Sequence, residues 1–322
     1  MNLFRSVQAI AGASSGNDAS AYIDWPAVAT AAKSATDPGS LDLTPAEKEG
    51  YAADVRDART RLRSVGGVEF DVPNAIEVQN RHHWIDSNIT TFRRVMRPLE
   101  SNIEVAFPAA TRVLNTGSMS FMLSFLASHV LGQYDPLLLA DGDEDHELYF
   151  VHPNIVDAAT ELDVDYPRFR RWIAFHEVAH AAEFGAAPWL PEHLESRMED
   201  GLESLTSGTF DREAFRDLDV AMTAVEGYAE MLMDRAFDEE YADLRAKLDA
   251  RRRGGGPVAR IARRLLGLGL KRRQYERGAR FFGTVADRRG VAAAAAVWDK
   301  PANLPTEAEL DDPARWLSRV DP

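Results

Sequence analysis

The chain has 322 residues and a formal net charge of −14, with 45% hydrophobic and 27% charged residues. This composition is ordinary for one large or two smaller globular domains, and it excludes a largely disordered or collagen-like chain. Because the chain has no cysteine, disulfide scaffolds, iron–sulfur clusters, thiolate zinc sites and cysteine nucleophiles are also excluded.

The charge is distributed unevenly along the chain. The acidic net charge argues against general nucleic-acid binding, whereas residues 251–290 carry 13 basic and two acidic residues. A solvated basic helix face explains this segment most simply, and a site for an anionic ligand is the alternative. No segment reaches the ~20 apolar residues of a membrane span, and the N-terminal apolar run is too short for a signal peptide. We therefore expect a cytoplasmic protein without membrane or nucleic-acid partners.

Apolar residues at helical spacing predict a mainly α protein with a small β element. Helices are expected at 44–64, 76–105, 114–131, 165–184, 191–205, 211–237 and 259–282. A short strand is expected at 147–152, after the acidic loop 141–146. The proline-containing tail is expected to be extended and to end in a short helix around Trp316.

The same patterns suggest three segments. Residues 1–75 are expected to form an N-terminal helical segment that is partly flexible at 1–20, and residues 76–253 a domain that holds the functional site. Residues 254–322 are expected to form a basic helical segment and a C-terminal wrap on that domain. The run Gly254–Gly256, followed by proline, is the clearest hinge.

The residues most informative about chemistry are His176-Glu177-Val178-Ala179-His180. Residues four apart on a helix lie on one face, so His176 and His180 can present two imidazoles to one metal ion. Glu177 is turned about 100° away, beside the position of a metal-bound water molecule. Zinc lowers the pKa of such a water molecule to about 7, and a carboxylate can then accept its proton. Two buried structural histidines are the alternative.

A catalytic zinc ion usually has three protein ligands, so a third is needed. Glu226 and Glu230 lie four residues apart on an otherwise apolar helix, where unpaired carboxylates are costly to bury. We predict that Glu226 is the third ligand and that Glu230 orients a ligating histidine through a hydrogen bond. The weaker alternatives are Glu183 as ligand, and His193 as ligand or as transition-state hydrogen-bond donor.

The strand expected at 147–152 directly precedes the histidine-bearing helix. An edge strand beside a metallopeptidase site can pair with an extended substrate, so this strand is a candidate for that role. His152 and Asn154 follow it closely. We expect them to have structural roles at the end of the strand, and a position that reaches the functional site is the alternative.

Four blocks resemble the zinc-dependent hydrolase family with a zincin-like fold. In chain order they are HVLGQYDPLLL (129–139), HEVAH (176–180), VEGYAEMLMD (225–234) and LLGLGLKRRQYERGARFF (265–282). More narrowly, the sequence is similar to the branch associated with biosynthesis of the deazaflavin coenzyme. The resemblance implies a mainly helical zincin-like scaffold with HExxH on a central helix. It also implies Zn²⁺ at His176, His180 and Glu226, with Glu177 as base, but it supplies no substrate.

Two functions follow as hypotheses. The first is a zinc metallohydrolase that cleaves an amide or peptide bond with Glu177 as general base. The second is a zinc-binding but non-hydrolytic accessory or carrier protein linked to deazaflavin coenzyme biosynthesis. In the second, the basic segment 251–290 would receive an anionic ligand.

Overall fold

The structure is a computed structural model. It describes residues 22–322 except 67–69, 71, 74–75, 103–107, 136–145, 207–210, 238–240 and 254–267. Three sequence-based expectations therefore lie outside the described residues: the flexibility of 1–20, most of the acidic loop 141–146, and the hinge at 254–256.

Most of the described chain is helical, as predicted. The helices are Trp25–Ala35 (α1), Pro45–Gly66 (α2), Arg81–Asn102 (α3), Pro108–Ala127 (α4), His152–Glu161 (α5), Tyr166–Ala186 (α6), Leu190–Thr206 (α7), Arg212–Ala236 (α8), Ala242–Arg253 (α9), Leu268–Arg289 (α10), Val291–Ala295 (α11), Glu307–Asp311 (α12) and Pro313–Val320 (α13). Two short 3-10 turns, Ala296–Trp298 and Pro301–Asn303, lie in the tail. The predicted helix around Trp316 is confirmed as α13.

Three strands form one small sheet. They are Ile76–Gln79 (β1), Gly132–Asp135 (β2) and Glu147–Val151 (β3), in the order β1–β3–β2. β3 pairs in parallel with β1 and antiparallel with β2. The predicted strand is therefore central, and the expectation that it forms an edge is wrong, because strands on both sides use its backbone groups.

Two strands were not predicted from the sequence. The expected helix at 76–105 begins instead at Arg81, because Ile76–Gln79 pairs with β3. The helix expected to end at Leu131 ends at Ala127, and β2 follows it. Both segments are four residues long, so pairing with a distant strand decides their conformation more than their own sequence does.

The hydrophobic core consists of two clusters. The larger surrounds α6, α8 and α10 and includes residues from Tyr51 in α2 to Leu317 in α13. The smaller joins α1, α3 and α4 around Trp84 and Leu123. Since Trp298 and Trp316 belong to the larger cluster, the C-terminal tail packs in the same core as α6. The division into three segments stays a prediction.

None of the described helices combines the length and apolar character needed to cross a bilayer.

Candidate metal centre

Helix α6 carries both histidines on a rigid support. Its first turn is capped by Asp165, whose side chain accepts a hydrogen bond from the Arg168 backbone N–H. The helix runs to Ala186, two residues beyond the end expected from the sequence, and its C-cap is Ala187. Most residues of α6 are buried. The histidine pair is thus held by a helix that the core surrounds.

Three side chains from two helices converge on one point. The Nε2 atoms of His176 and His180 are 3.3 Å apart. The Oε2 atom of Glu226, on α8, lies 4.0 Å from the first and 3.9 Å from the second. The carboxylate is 4% exposed and the imidazoles are partly buried. These three residues form a group that could hold a metal ion.

Close packing of glycines brings α8 to this position. A Cβ atom on Gly227 would lie 2.3 Å from the backbone of Gly278 in α10, so only glycine allows this approach of the two helices. α8 itself is capped by Asp211, whose side chain accepts from the backbone N–H groups of Glu213 and Ala214. The carboxylate next to Gly227 is therefore placed by helix–helix packing.

His180 is oriented by a carboxylate from its own helix. Its Nδ1 lies 2.8 Å from Oε2 of Glu183, which is completely buried. An Nδ1–H donated to this carboxylate leaves the lone pair of Nε2 directed at the point where Glu226 converges. The other ligand candidate, His176, is stacked on Trp172 with ring centroids 5.8 Å apart and planes 5° from parallel.

The negative charges around His180 change its protonation. Burial opposes the charged imidazolium, but the hydrogen bond to Glu183 and the charges of Glu183, Glu226 and Glu177 outweigh burial and raise the pKa of His180 to about 9. Burial also raises the pKa of Glu183, against the opposing effect of His180. The site is thus strongly negative and favours a cation, whether a proton or a metal ion.

Glu177 lies between the histidine pair and the edge strand β2. It is 6% exposed, and one of its carboxylate oxygens, Oε2, accepts a hydrogen bond of 2.9 Å from the Tyr134 backbone N–H. A Cβ atom on Gly132 would lie 2.7 Å from Cγ of Glu177 and 2.8 Å from Oε1. The strand therefore packs directly on the carboxylate and holds it in one orientation.

Comparison with known proteins agrees with this geometry. The chain matches the family of zincin-like metallopeptidases over residues 23–211 and 201–317. It belongs to that family.

A solved structure of similar fold supports the assignment. A protein from Chloroflexus aurantiacus, described as a "putative hydrolase with a novel fold", is 31% identical to this chain and superimposes with a TM-score of 0.77. The match covers 93% of this chain and 99% of that one. No curated protein matches the chain. The family membership indicates a metal-dependent hydrolase.

The carboxylate of Glu230 forms an ion pair with Arg245 on α9, and Arg245 also pairs with Asp234. The predicted role of Glu230 in orienting a ligating histidine stays a prediction. The carboxylate that does orient a histidine, Glu183, was considered in the sequence only as a weak alternative ligand. Its position three residues after His180, in an otherwise apolar stretch, is the signal that identifies it.

His193 is not among the groups brought together at the centre. Its ring contacts Trp189 with centroids 5.8 Å apart, and burial and the charge of Arg197 lower its pKa, against the opposing effect of Asp217. Its predicted role as ligand or hydrogen-bond donor stays a prediction.

His152 and Asn154 have structural contacts. The Nδ1 atom of His152 lies 3.1 Å from the Tyr51 hydroxyl and 3.2 Å from the Tyr166 hydroxyl. Asn154 donates to the backbone carbonyls of Ala127 and Val130. The expectation of structural roles for this pair is confirmed.

The basic segment 251–290 lies largely outside the described residues and side chains. Within its described part, Arg277 and Arg280 pair with Asp311, and Arg289 lies 3.7 Å from Asp321. These three arginines have acidic partners in the C-terminal tail. A binding site for an anionic ligand in this segment stays a prediction.

Proposed function

We propose that the protein is a zinc-dependent hydrolase that cleaves an amide or peptide bond. His176, His180 and Glu226 would hold the zinc ion, and Glu177 would act as general base. The observation that carries the proposal is the convergence of two imidazole nitrogens and one carboxylate oxygen within 4.0 Å of one another, next to a buried glutamate.

The donor set fits zinc. Ligand atoms that share one zinc ion at about 2.0–2.2 Å in tetrahedral geometry lie about 3.3–3.6 Å apart. The distance between the two Nε2 atoms is 3.3 Å, and the distances to Glu226 are 3.9 and 4.0 Å. Small side-chain rotations remove the difference. Two imidazoles and a carboxylate are also ligands that suit zinc.

Each protein group then has a definite task. Zinc, when bound, supplies a Lewis acid that polarises the scissile carbonyl and acidifies water. Glu177 accepts a proton from the attacking water at its carboxylate and delivers it to the leaving nitrogen. The backbone N–H of Tyr134 donates a hydrogen bond to one oxygen of that carboxylate and so fixes its orientation. Glu183 keeps His180 in the tautomer that presents Nε2.

The edge strand β2 offers a route for substrate binding. Among the described strands it pairs with β3 on one side and with none on the other, and its residues Gly132 and Tyr134 contact Glu177. An extended peptide that added to the other side of β2 would lie next to the general base. This role, which the sequence suggested for the 147–152 strand, falls to β2, because β3 is central.

The test combines metal content with turnover. We expect purified protein to hold one equivalent of zinc by elemental analysis and to cleave members of a random peptide library monitored by mass spectrometry. Glu177→Gln should retain zinc and lose at least about 100-fold in turnover. Glu226→Ala should lose zinc, with circular dichroism to check that it folds. The exposed Glu192→Gln is the matched control and should change neither property.

Two results would reject the proposal. If Glu177→Gln has the same turnover as the native protein, Glu177 is not the general base. If a folded Glu226→Ala protein retains zinc, Glu226 is not the third ligand. Zinc binding without cleavage of any library member would favour the non-hydrolytic accessory protein.

A further inference from the structure

A cavity of ≈140 Å³ lies between α6, α8 and α9. Five of its lining residues are apolar or aromatic and two are charged. They are Trp172, Met233, Phe237, Tyr241, Ala242, Asp234 and Arg245. No step of the proposed mechanism uses this cavity.

One residue of the lining is one helical turn from the metal centre. Trp172 lines it and also stacks on His176, four residues further along α6. Four residues of α-helix correspond to about 6 Å along the axis. Side chains two apart on an extended peptide are separated by about 6.6–7 Å. A peptide whose scissile bond lay at the metal centre would have a neighbouring side chain at the distance of Trp172, which lines this cavity.

The walls of the cavity are aromatic and well supported. Trp172 and Tyr241 are each 9% exposed, and Met233 is 2% exposed. Phe237 stacks on Tyr241 with ring centroids 4.1 Å apart and contacts Phe175 at 4.4 Å. These packed rings hold the cavity open and favour an apolar occupant.

Charges at the cavity disfavour an anionic occupant. Asp234 and Arg245, whose side chains are 42% and 37% exposed, form an ion pair in the lining, and Arg245 also pairs with Glu230. Because two carboxylates face one guanidinium, this group keeps a net negative charge, which disfavours an anion.

The volume identifies the size of the occupant. A dry cavity of about 150 Å³ in a protein core admits benzene. Resting on the proposed hydrolase function, we infer that this cavity is a specificity pocket for a ring-sized side chain of the substrate that carries no negative charge, close to the scissile bond. The substrate class is thus a peptide or amide with an aromatic group near the bond that is cleaved.

The pocket can be tested without any hydrolysis. p-Cresol, a tyrosine side-chain analogue that has no bond to cleave, is titrated into the zinc-loaded protein and followed by ligand-observed NMR. n-Butylamine and propionate are the charged comparison probes. Ala242, an exposed residue in the first turn of α9, lines the cavity, so Ala242→Phe should fill it. Ala246→Phe, one turn further along the same helix and also exposed, is the matched control.

We expect saturable p-cresol binding to the native protein, weakened about 10- to 100-fold by Ala242→Phe and unchanged by Ala246→Phe. The pocket is refuted if p-cresol does not bind saturably or if Ala242→Phe leaves its affinity unchanged. It is also refuted if either charged probe binds more tightly than p-cresol and is displaced by Ala242→Phe.

These outcomes are separate from the test of hydrolysis. If the protein binds p-cresol in the pocket but cleaves no peptide, the pocket is supported and the proposed hydrolase function is rejected. If peptides are cleaved, Ala242→Phe should lower kcat/KM for substrates with an aromatic residue near the scissile bond and spare those with alanine there. Equal effects on both substrates would contradict the pocket and leave the hydrolase intact.

Discussion

Replacing Glu183 by glutamine removes one negative charge beside His180 and keeps the size of the side chain. The carboxylate is completely buried, and its Oε2 lies 2.8 Å from Nδ1 of the imidazole. Glutamine can still offer an acceptor oxygen, but its amide group can also present N–H to Nδ1 and so favour the wrong tautomer. The lone pair of Nε2 would then no longer be reserved for the metal.

The size of the effect follows from this hydrogen bond. A hydrogen bond to a charged group contributes about 1.5–3 kcal/mol, and 1.4 kcal/mol corresponds to a factor of ten in affinity. Because glutamine retains part of the interaction, we expect zinc to bind about 10- to 100-fold more weakly to Glu183→Gln. Zinc affinity is measured by competition with a chromophoric chelator, and circular dichroism checks the fold.

Glu230→Gln is the matched control, because it makes the same chemical change on the neighbouring helix α8. Glu230 pairs with Arg245 and not with a histidine, so its zinc affinity should stay within about twofold of the native value. Native zinc affinity in Glu183→Gln would refute the orienting role of Glu183. A loss confined to Glu230→Gln would restore the role that the sequence suggested for Glu230.

Three further predictions concern the packing around the site. Gly132→Ala should displace the carboxylate of Glu177, because the new Cβ would lie 2.7 Å from Cγ of Glu177. It should lower kcat about 10- to 100-fold while zinc stays bound. An unchanged kcat in this variant would contradict the close packing of β2 on Glu177. Gly227→Ala should lower the free energy of unfolding by at least about 1–3 kcal/mol, since its Cβ would meet the backbone of α10 at 2.3 Å. Gly283→Ala, whose new Cβ would meet open space, is the control for both glycine variants. Equal urea midpoints for Gly227→Ala and Gly283→Ala would disprove the close contact between α8 and α10. Burial holds the pKa of His152 below its unfolded value, so its contribution to stability is complete above about pH 6.5 and is lost as the pH falls below that value. The groups that contact its ring or act on its charge are Tyr51, Tyr166, Glu47 and Arg170. Urea unfolding at several pH values should show this loss in the native protein and a flatter profile in His152→Gln; parallel profiles would exclude His152 as the cause.

The sequence by itself determined the local features of the site. His176 and His180 share a face because backbone hydrogen bonds fix the spacing of residues four apart, whatever surrounds the helix. Asp165 and Asp211 cap their helices through hydrogen bonds from backbone N–H groups two or three residues further along the chain, so these caps are also local. Glu226 could be proposed as the third ligand because a carboxylate on an apolar helix needs a cationic partner. Local periodicity and capping therefore predict most helices and the histidine pair.

Only the tertiary structure decided which distant groups meet. Glu230 pairs with Arg245 on α9, a partner that the sequence did not predict, because the neighbour that each side of α8 faces depends on packing. β1 and β2 exist through pairing with β3, and β2 reaches Glu177 because Gly132 leaves room. Such contacts join residues far apart in the chain, so no local pattern specifies them. They arise when the helices and strands pack around a common core.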